Sequence, residues 1–171
     1  MRRLFILVIA WAGASACATT GAVPQPFPTP GGLPAAPPAA PAASPSLPAD
    51  AYAISGTALT LRGIPYRNGG ADPSGFDCSG FVWYVFSQHR VQVPRTVSEQ
   101  LRAGSHIDTR DLRAGDLVFF DTMNAHAATH VGISIGGDEF VHAPSTAGQV
   151  RVERLGSNYW APRFVEARRV Q

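Results

Sequence analysis

Three residues of this sequence have side chains that could perform nucleophilic catalysis: Cys78, His130 and His142. A thiol is mostly protonated near neutral pH, whereas it is the thiolate that attacks a carbonyl carbon. The positive end of a helix and a neighbouring imidazole both lower the pKa of a thiol. Cys78 lies in "GFDCSGFV", at the expected start of a helix, and either histidine could supply the imidazole. One histidine would take the thiol proton and the other would orient the first ring.

Two other interpretations of Cys78 stay open on the residues alone. A cysteine on an apolar helix is often a small buried hydrophobic residue. With both histidines it could instead bind zinc, but the chain lacks C-x-x-C and H-E-x-x-H spacing, and we predict neither a metal nor an organic cofactor. The remaining histidines are His89, His106 and His126, which lie in polar or loop segments and are expected to be solvated.

The spacing of His130 and His142 constrains their geometry. They are twelve residues apart, across a hairpin that we expect to turn at residues 136–138. Regular pairing with a two-residue loop would put the two side chains on opposite faces of the sheet. A loop with an odd number of residues or a β-bulge would bring them to the same face. We therefore predict one of these irregularities between the histidines.

The elements that must position these side chains change in character along the domain. Three helices are predicted: "DAYAISGTALTLRG" with Asp50 as N-cap, "CSGFVWYVFSQHR" with Asp77 as N-cap, and "TVSEQ" with Thr96 and Glu99 as a capping box. "YRNGGADPSGF" predicts a loop. Five later segments predict an antiparallel sheet: "GDLVFFD", "HVGISI", "EFVHA", "VRVERL" and "RFVEARRV". Helices followed by strands indicate an α+β domain.

The N-terminal segment has the pattern of an export signal over residues 1–16. Arg2 and Arg3 precede an apolar stretch at residues 4–11, which is short for a membrane-spanning helix. Small residues then lead to Cys17 in a segment that resembles a bacterial lipobox. Cleavage by an ordinary signal peptidase and lipidation of Cys17 both remain open on the sequence.

The composition of residues 17–49 predicts an extended tether rather than a folded unit. Ten of the fifteen prolines and no charged residue lie there. The fold is therefore expected in residues 50–171, whose 12 basic and 12 acidic residues balance. No basic run or stacking surface predicts a nucleic-acid partner. If Cys17 is lipidated, Ala18 after it resembles the pattern of outer-membrane lipoproteins that face the periplasm.

Six motifs in order give this chain a family resemblance: "GIPYRNGG", "GFDCSGFV", "VPRT", "AGDLVFF", "HVGISIG" and "FVHAPS". They resemble the NlpC-type (NlpC/p-sixty) cell-wall peptidases, which are cysteine peptidases with a papain-like α+β fold. The resemblance implies that Cys78 is the nucleophile, His130 the base and His142 the residue that orients it. It also implies that Tyr66 helps the backbone N–H of Cys78 to bind the oxyanion.

The same resemblance implies hydrolysis of an amide bond in peptidoglycan stem peptides, either D-γ-glutamyl to diaminopimelate or D-alanyl to diaminopimelate. It places Asp77 and Ser79 at the free N-terminus of a stem peptide, although helix capping is an equal reading of Asp77. Amidase or acyl-transfer chemistry and a non-catalytic wall-binding lipoprotein are the alternatives. The expected partners are stem peptides, the membrane through a lipid anchor, and an unidentified regulator.

Overall fold

The computed structural model describes residues 50–170, which contain three α-helices, eight strands and two 3₁₀-helices, Thr109–Asp111 and Ala161–Arg163. The helices are Ala51–Thr60 (α1), Cys78–Gln88 (α2) and Val97–Gln100 (α3). The export signal, the lipidation site at Cys17 and the tether lie outside the described residues. No helix within 50–170 has the length and apolar character needed to cross a membrane.

The strands form a two-stranded ribbon and a six-stranded antiparallel sheet. The ribbon pairs Ala71–Asp72 (β1) with Gly75–Phe76 (β2). The strands of the large sheet are Ser105–Ile107 (β3), Leu117–Phe120 (β4), His130–Gly136 (β5), Glu139–His142 (β6), Arg151–Arg154 (β7) and Phe164–Arg169 (β8). Their order across the sheet is β3-β8-β4-β5-β6-β7. The α+β prediction and all five predicted strands are confirmed.

Three short strands were not predicted. The ribbon β1–β2 lies inside "YRNGGADPSGF", so the loop prediction is wrong for these four residues. Two residues per strand are too few to produce an alternating pattern. The strand β3 is an edge strand that pairs only with β8 among the described strands, and its Ser105 and His106 are exposed. Such a strand lacks the apolar residues that reveal a buried one.

The helix starts follow the predicted capping residues, with one difference. The side chain of Asp50 accepts the backbone N–H of Tyr52 at 2.9 Å, and that of Asp77 accepts the N–H of Gly80 at 2.6 Å. The hydroxyl of Thr96 instead donates to the carboxylate of Glu99 at 2.6 Å and accepts no backbone N–H. The short helix α3 therefore begins where the sequence predicts, but without the reciprocal bonds of a capping box.

The large sheet separates two apolar clusters. The first lies between the sheet and the helices and includes Phe81, Val85, Phe119, Val131 and Ile133. The second lies on the other face and consists of Val118, Phe120, Phe140, Trp160 and Ala167. Side chains alternate between faces along a strand, so His130 and His142, next to Val131 and Val141 in sequence, lie with the second cluster.

A β-bulge in β5 places the side chains of His130 and His142 on the same face of the sheet. Ile133 pairs with Val141 and Ser134 with Phe140, but Gly136 pairs with Glu139, so the register shifts by one residue after Ser134. The hydroxyl of Ser134 accepts the backbone N–H of Gly136 at 3.2 Å within the bulge. The predicted irregularity is therefore confirmed as a bulge next to a two-residue loop.

Candidate active site

Cys78 is a free thiol at the first residue of α2, half-buried at the edge of the first apolar cluster. Burial and the carboxylate of Asp77 raise the pKa of the thiol above its ordinary value. Backbone N–H groups of Ser79, Val131 and Cys78 itself oppose this increase only in part. The N–H groups at the helix start therefore act in the predicted direction, but desolvation outweighs them and the net shift is upward.

His130 and His142 form a hydrogen-bonded pair on one face of the sheet. Nε2 of His130 and Nδ1 of His142 are 2.7 Å apart, and the ring planes are nearly perpendicular at 85°. His130 is 7% exposed and His142 is fully buried. Since Nε2 of His130 is occupied, Nδ1 is the ring nitrogen that remains for a thiol proton. The backbone N–H of Val131 donates to the Cys78 sulfur and lowers the pKa of the thiol. Because Val131 directly follows His130, the base and the thiol are neighbours in the fold.

Burial keeps both imidazoles neutral. It lowers the pKa of His130 from 6.5 to about 4. Burial also lowers the pKa of His142, and the neighbouring His130 ring and the positive charge of Arg151 act in the same direction. The raised thiol pKa and the lowered imidazole pKa both favour a neutral resting pair of Cys78 and His130 over a thiolate–imidazolium pair.

Trp160 covers the histidine pair, a role that no neighbouring residue in the sequence indicates. Its ring stacks on that of His130, with centroids 5.5 Å apart and planes inclined by 25°. It also meets the ring of His142 edge-on at 4.9 Å. The indole N–H donates to Oε2 of Glu153 at 3.3 Å. Trp160 is 5% exposed, so it shields the hydrogen bond between the histidines from water.

Gly132 is a second residue that sequence reasoning missed. It lies in β5 two residues after His130 and faces His142 of β6. A Cβ atom at this position would be 2.6 Å from Cδ2 of Phe140 and 3.2 Å from Cβ of His142. The absence of a side chain therefore leaves the space in which the ring of His142 reaches His130.

Asp77 and Ser79 are joined to Arg95 in a compact polar network beside Cys78. Nη1 of Arg95 donates to Oδ1 of Asp77 and to the hydroxyl of Ser79, both at 2.9 Å, and Nη2 donates to Oδ2 of Asp77 at 2.7 Å. The Asp77 carboxylate also caps α2, so the capping reading is confirmed. These bonds lower the pKa of Asp77 against the opposing effect of burial, and the carboxylate stays charged. In the sequence, only its place in "VPRT" marks Arg95.

Tyr66 lies close enough to Cys78 for a charge on the thiol to shift the pKa of the Tyr66 hydroxyl. Burial raises the pKa of the Tyr66 hydroxyl, and the charges of Cys78 and Asp77 raise it further. The backbone of Tyr66 is held by a bridge to Phe76 and by its N–H, which donates to the carbonyl of Gly148 at 2.8 Å. The phenol is therefore neutral, as an oxyanion donor must be.

The remaining histidines lie apart from this site. His89 is half-buried, and its Nε2 is hydrogen-bonded to Thr57 at 2.8 Å, so the expectation of a solvated ring is wrong for it. His106 and His126 are exposed as expected. In residues 50–170, no group of three or more His, Cys, Asp and Glu side chains is arranged to hold a metal ion.

Similarity to known proteins covers most of the described part of the chain. Residues 63–169 match the model of the NlpC/P60 family. The chain is 41% identical over 112 residues to murein DD-endopeptidase MepH of Escherichia coli K12, covering 63% of this chain and 41% of that protein. It is 41% identical over 110 residues to murein DD-endopeptidase MepS/murein LD-carboxypeptidase of the same organism, covering 64% and 57%. The matched region thus spans about half the length of these relatives.

Solved structures give the same fold. An NlpC/P60 family protein from Bacillus cereus superimposes with a TM-score of 0.67 at 30% identity, covering 71% of this chain and 40% of that chain. The NlpC/p60 domain of the peptidoglycan hydrolase SagA superimposes with a TM-score of 0.62 at 34% identity, covering 71% of this chain and 99% of that domain. The papain-like prediction of the fold is therefore confirmed.

Proposed function

Because the chain belongs to the NlpC/P60 family, we propose that it is a cysteine peptidase that hydrolyses amide bonds in peptidoglycan peptides. The observation that carries the proposal is the hydrogen bond of 2.7 Å between Nε2 of His130 and Nδ1 of His142, which leaves Nδ1 of His130 as the nitrogen that can act as a base. Relatives at about 40% identity are named murein DD-endopeptidases, and another, from Bacillus subtilis, is named a probable peptidoglycan endopeptidase.

The proposed reaction begins with the thiol protonated. The Nε2–H group of His130 donates to Nδ1 of His142, which leaves Nδ1 of His130 as the basic nitrogen. This nitrogen takes the thiol proton while Sγ of Cys78 attacks the carbonyl carbon. The backbone N–H of Cys78 and the hydroxyl of Tyr66 stabilise the oxyanion.

The second half of the reaction returns every proton. The imidazolium of His130 protonates the leaving amine as the C–N bond breaks, and the acyl group stays on Cys78 as a thioester. The same ring then removes a proton from water, and the hydroxide attacks the thioester. The carboxylate product leaves as Cys78 recovers its proton.

His142 contributes by remaining neutral and buried. A ring whose pKa is lowered by burial and by Arg151 does not compete with His130 for the proton. It fixes the ring orientation and the tautomer of His130 through one hydrogen bond, which is the role that a third catalytic residue plays in related constellations. The ring also accepts the stronger hydrogen bond that His130 offers once it is protonated.

For the bond that is cut, we propose the D-alanyl to diaminopimelate cross-link rather than the D-γ-glutamyl bond. The support is the DD-endopeptidase name of the two relatives at 41% identity. Asp77 and Ser79 are proposed to contact the stem peptide beside the nucleophile. The Asp77 side chain is 15% exposed and its carboxylate is held by Arg95, so it can offer a fixed negative edge to an ammonium group.

The cellular context is proposed from the residues outside 50–170. Residues 1–16 would direct export, Cys17 would carry a lipid, and the proline-rich residues 17–49 would let the domain reach the wall from the outer membrane. A location in the cell envelope agrees with relatives that are named for acting on murein. A regulator that restrains wall hydrolysis is part of the proposal, without a motif that identifies it.

The test is digestion of purified peptidoglycan with the exported chain, with products assigned by mass. Cross-linked dimers should disappear, and each should yield two monomers with the gain of one water. Cys78→Ala should abolish this release while the circular dichroism spectrum is unchanged. Release of intact stem peptides from the sugar would indicate an amidase instead, and binding without any new product would indicate a wall-binding protein.

A further inference from the structure

The guanidinium of Arg95 connects the loop before β1 to the start of α2, where Cys78 lies. Its Nη2 donates to the carbonyl oxygen of Gly70 at 3.2 Å and to Oδ2 of Asp77 at 2.7 Å. Its Nη1 donates to Oδ1 of Asp77 and to the hydroxyl of Ser79, both at 2.9 Å. Each terminal nitrogen therefore uses both of its N–H groups, although the proposed reaction assigns this residue no role.

The Gly70 end of this connection leads to Tyr66. The N–H of Gly70 donates to the carbonyl of Arg67 at 2.9 Å, which closes a tight turn directly after Tyr66. The N–H of Arg67 donates to the carbonyl of Phe76 at 2.9 Å, and Tyr66 itself forms a bridge with Phe76. A displacement of the Gly70 carbonyl would therefore move the backbone that carries the phenol.

The other end of the connection is the first turn of α2. Asp77 caps this helix by accepting the N–H of Gly80 at 2.6 Å, and its own N–H donates to the Gly70 carbonyl at 3.0 Å. Gly80 lies where Arg95 packs on the helix: a Cβ atom there would be 2.9 Å from Nη2 of Arg95 and would overlap the Gly70 carbonyl. The helix start is therefore in direct contact with Gly70, and Arg95 spans the junction.

This junction separates the two groups that bind the oxyanion in the proposed reaction. One is the backbone N–H of Cys78 at the helix start, and the other is the hydroxyl of Tyr66 on the loop. Such donors act only at the place where negative charge develops, so their positions relative to each other determine how much they stabilise it. A misplacement of about 1 Å costs on the order of 100-fold in rate.

The charge of Arg95 has a separate effect on the thiol. The hydrogen bonds to Asp77 raise the pKa of Arg95, and a charge on Cys78 raises it further, so the side chain is a cation within reach of the thiol. This cation opposes the Asp77 carboxylate, which raises the pKa of the thiol. A test of the geometry must therefore keep the charge.

We propose that Arg95 is a positioning residue that keeps the Tyr66 hydroxyl and the backbone N–H of Cys78 in one oxyanion-binding arrangement. The inference rests on the proposed function, in which these two donors bind the oxyanion. The role needs a guanidinium, because one planar group with fixed donors bonds a carbonyl, a carboxylate and a hydroxyl at the same time. A lysine at this position keeps the charge, but its three donors share one nitrogen and cannot reproduce this pattern.

The test measures kcat and KM of the wild-type chain, Arg95→Lys, Tyr66→Phe and the double variant on a cross-linked muropeptide dimer. Tyr66→Phe should lower kcat by about 100-fold, because one oxyanion donor is lost. Arg95→Lys should lower kcat by on the order of tenfold, with a smaller effect on KM. In the double variant, kcat should lie within about twofold of that of Tyr66→Phe, because without the hydroxyl there is no second donor to misplace.

Two further measurements distinguish positioning from charge and from general stability. The pH profile of Cys78 alkylation by iodoacetamide should be the same in Arg95→Lys as in the wild-type chain, because the charge is kept. Arg169→Lys is the matched control: Arg169 donates to both oxygens of Asp116 at 2.8 Å and to the carbonyl of Asp111 at 3.1 Å, away from α2. This variant should lower the melting temperature but keep the wild-type kcat.

Each outcome separates this inference from the proposed function. A wild-type kcat in Arg95→Lys overturns the positioning role, and so do losses that multiply in the double variant, while hydrolysis through Cys78 stands. A shift of the alkylation profile in Arg95→Lys that matches the loss of kcat assigns the effect to charge and also overturns it. If the wild-type chain leaves the dimer intact, the proposed function and the inference both fail.

Discussion

The indole ring of Trp160 stacks on the imidazole of His130, with 5.5 Å between the ring centroids and 25° between the planes. The indole itself is held by its N–H, which donates to Glu153 at 3.3 Å. This arrangement both orients the base and excludes water from its hydrogen bond with His142. Trp160 is therefore a positioning residue, since it acts on the substrate chemistry through His130.

Replacing Trp160 tests this role. Trp160→Leu should lower kcat by about 100-fold, because a misplaced base costs rate without loss of substrate binding. Admission of water should also raise the pKa of His130 towards 6.5, so the acid limb of the pH–rate profile should move to higher pH. Trp160→Phe keeps a ring over His130 and should retain most of the activity. A lower kcat with an unchanged acid limb would indicate a merely structural role.

How much of this site the sequence predicts depends on how local each signal is. Asp77, the helix it caps and the strand of His130 are all marked by neighbouring residues, and these predictions are confirmed. The spacing of the two histidines is enough to predict either a loop with an odd number of residues or a bulge between them, and the structure has the bulge. Nothing near Trp160 indicates that it covers His130, since they are thirty residues apart and meet only when β8 and the segment before it pack on the sheet.

The direction in which the pKa of the Cys78 thiol shifts could not be predicted from the sequence either. The helix start at Cys78 is a local feature, but the burial that opposes it comes from distant segments that pack around the thiol. Arg95 is a similar case, because its bond to Asp77 joins residues eighteen apart. Tertiary packing decides these electrostatic properties, and residue spacing alone does not encode it.

The neutral state of Cys78 and His130 predicts a particular pH dependence. Because burial lowers the pKa of His130 from 6.5 to about 4, the base stays unprotonated in mildly acidic solution, and the acid limb of kcat/KM should lie below pH 6.5. Because the thiol pKa is raised, alkylation by iodoacetamide should be slow at pH 6 and increase steadily with pH. Glutathione alkylated under the same conditions is the reference thiol. Fast, pH-independent alkylation between pH 5 and 8 would instead indicate a preformed thiolate–imidazolium pair.

The buried histidines should also make the fold sensitive to acid. The pKa of His130 is lower in the folded chain than in the unfolded chain, so the unfolded chain binds more protons below pH 6.5. Stability is therefore complete above pH 6.5 and falls as the pH drops towards 4, by on the order of 3 kcal/mol for this residue. Urea unfolding at a series of pH values measures the loss. His130→Gln should reduce the dependence, and an identical dependence in this variant would assign the acid sensitivity to other groups.

Asp77→Asn separates the capping role of this residue from its charge. Asparagine caps a helix as well as aspartate, so α2 should form, but the ion pair with Arg95 is lost. The Arg95 side chain is 36% exposed, so we expect a stability loss of only about 1 kcal/mol after solvent screening. The thiol pKa of Cys78 should fall, because the nearest negative charge that raises it is gone.

The control for this variant is Asp72→Asn, which removes an exposed aspartate that also pairs with an arginine, Arg67, at 2.8 Å. It should leave the alkylation profile of Cys78 unchanged. A thiol pKa that stays the same or rises in Asp77→Asn would contradict the electrostatic role given to Asp77.

Gly132→Ala tests whether the histidine pair depends on the space between β5 and β6. The added Cβ would be 2.6 Å from the Phe140 ring, 3.0 Å from the carbonyl oxygen of Val141 and 3.2 Å from Cβ of His142, so the Phe140 ring must move and we expect strand β6 to carry His142 with it. Overpacking of this kind costs about 1–3 kcal/mol of stability, and the displaced ring should weaken the bond to His130. We expect kcat to fall by at least tenfold while KM changes little, since Gly132 faces His142 and not the peptide. Gly56→Ala is the control, because a Cβ in that helix meets no atom within 4 Å, and it should leave kcat unchanged. Full activity of Gly132→Ala would mean that His130 works without its bond to His142.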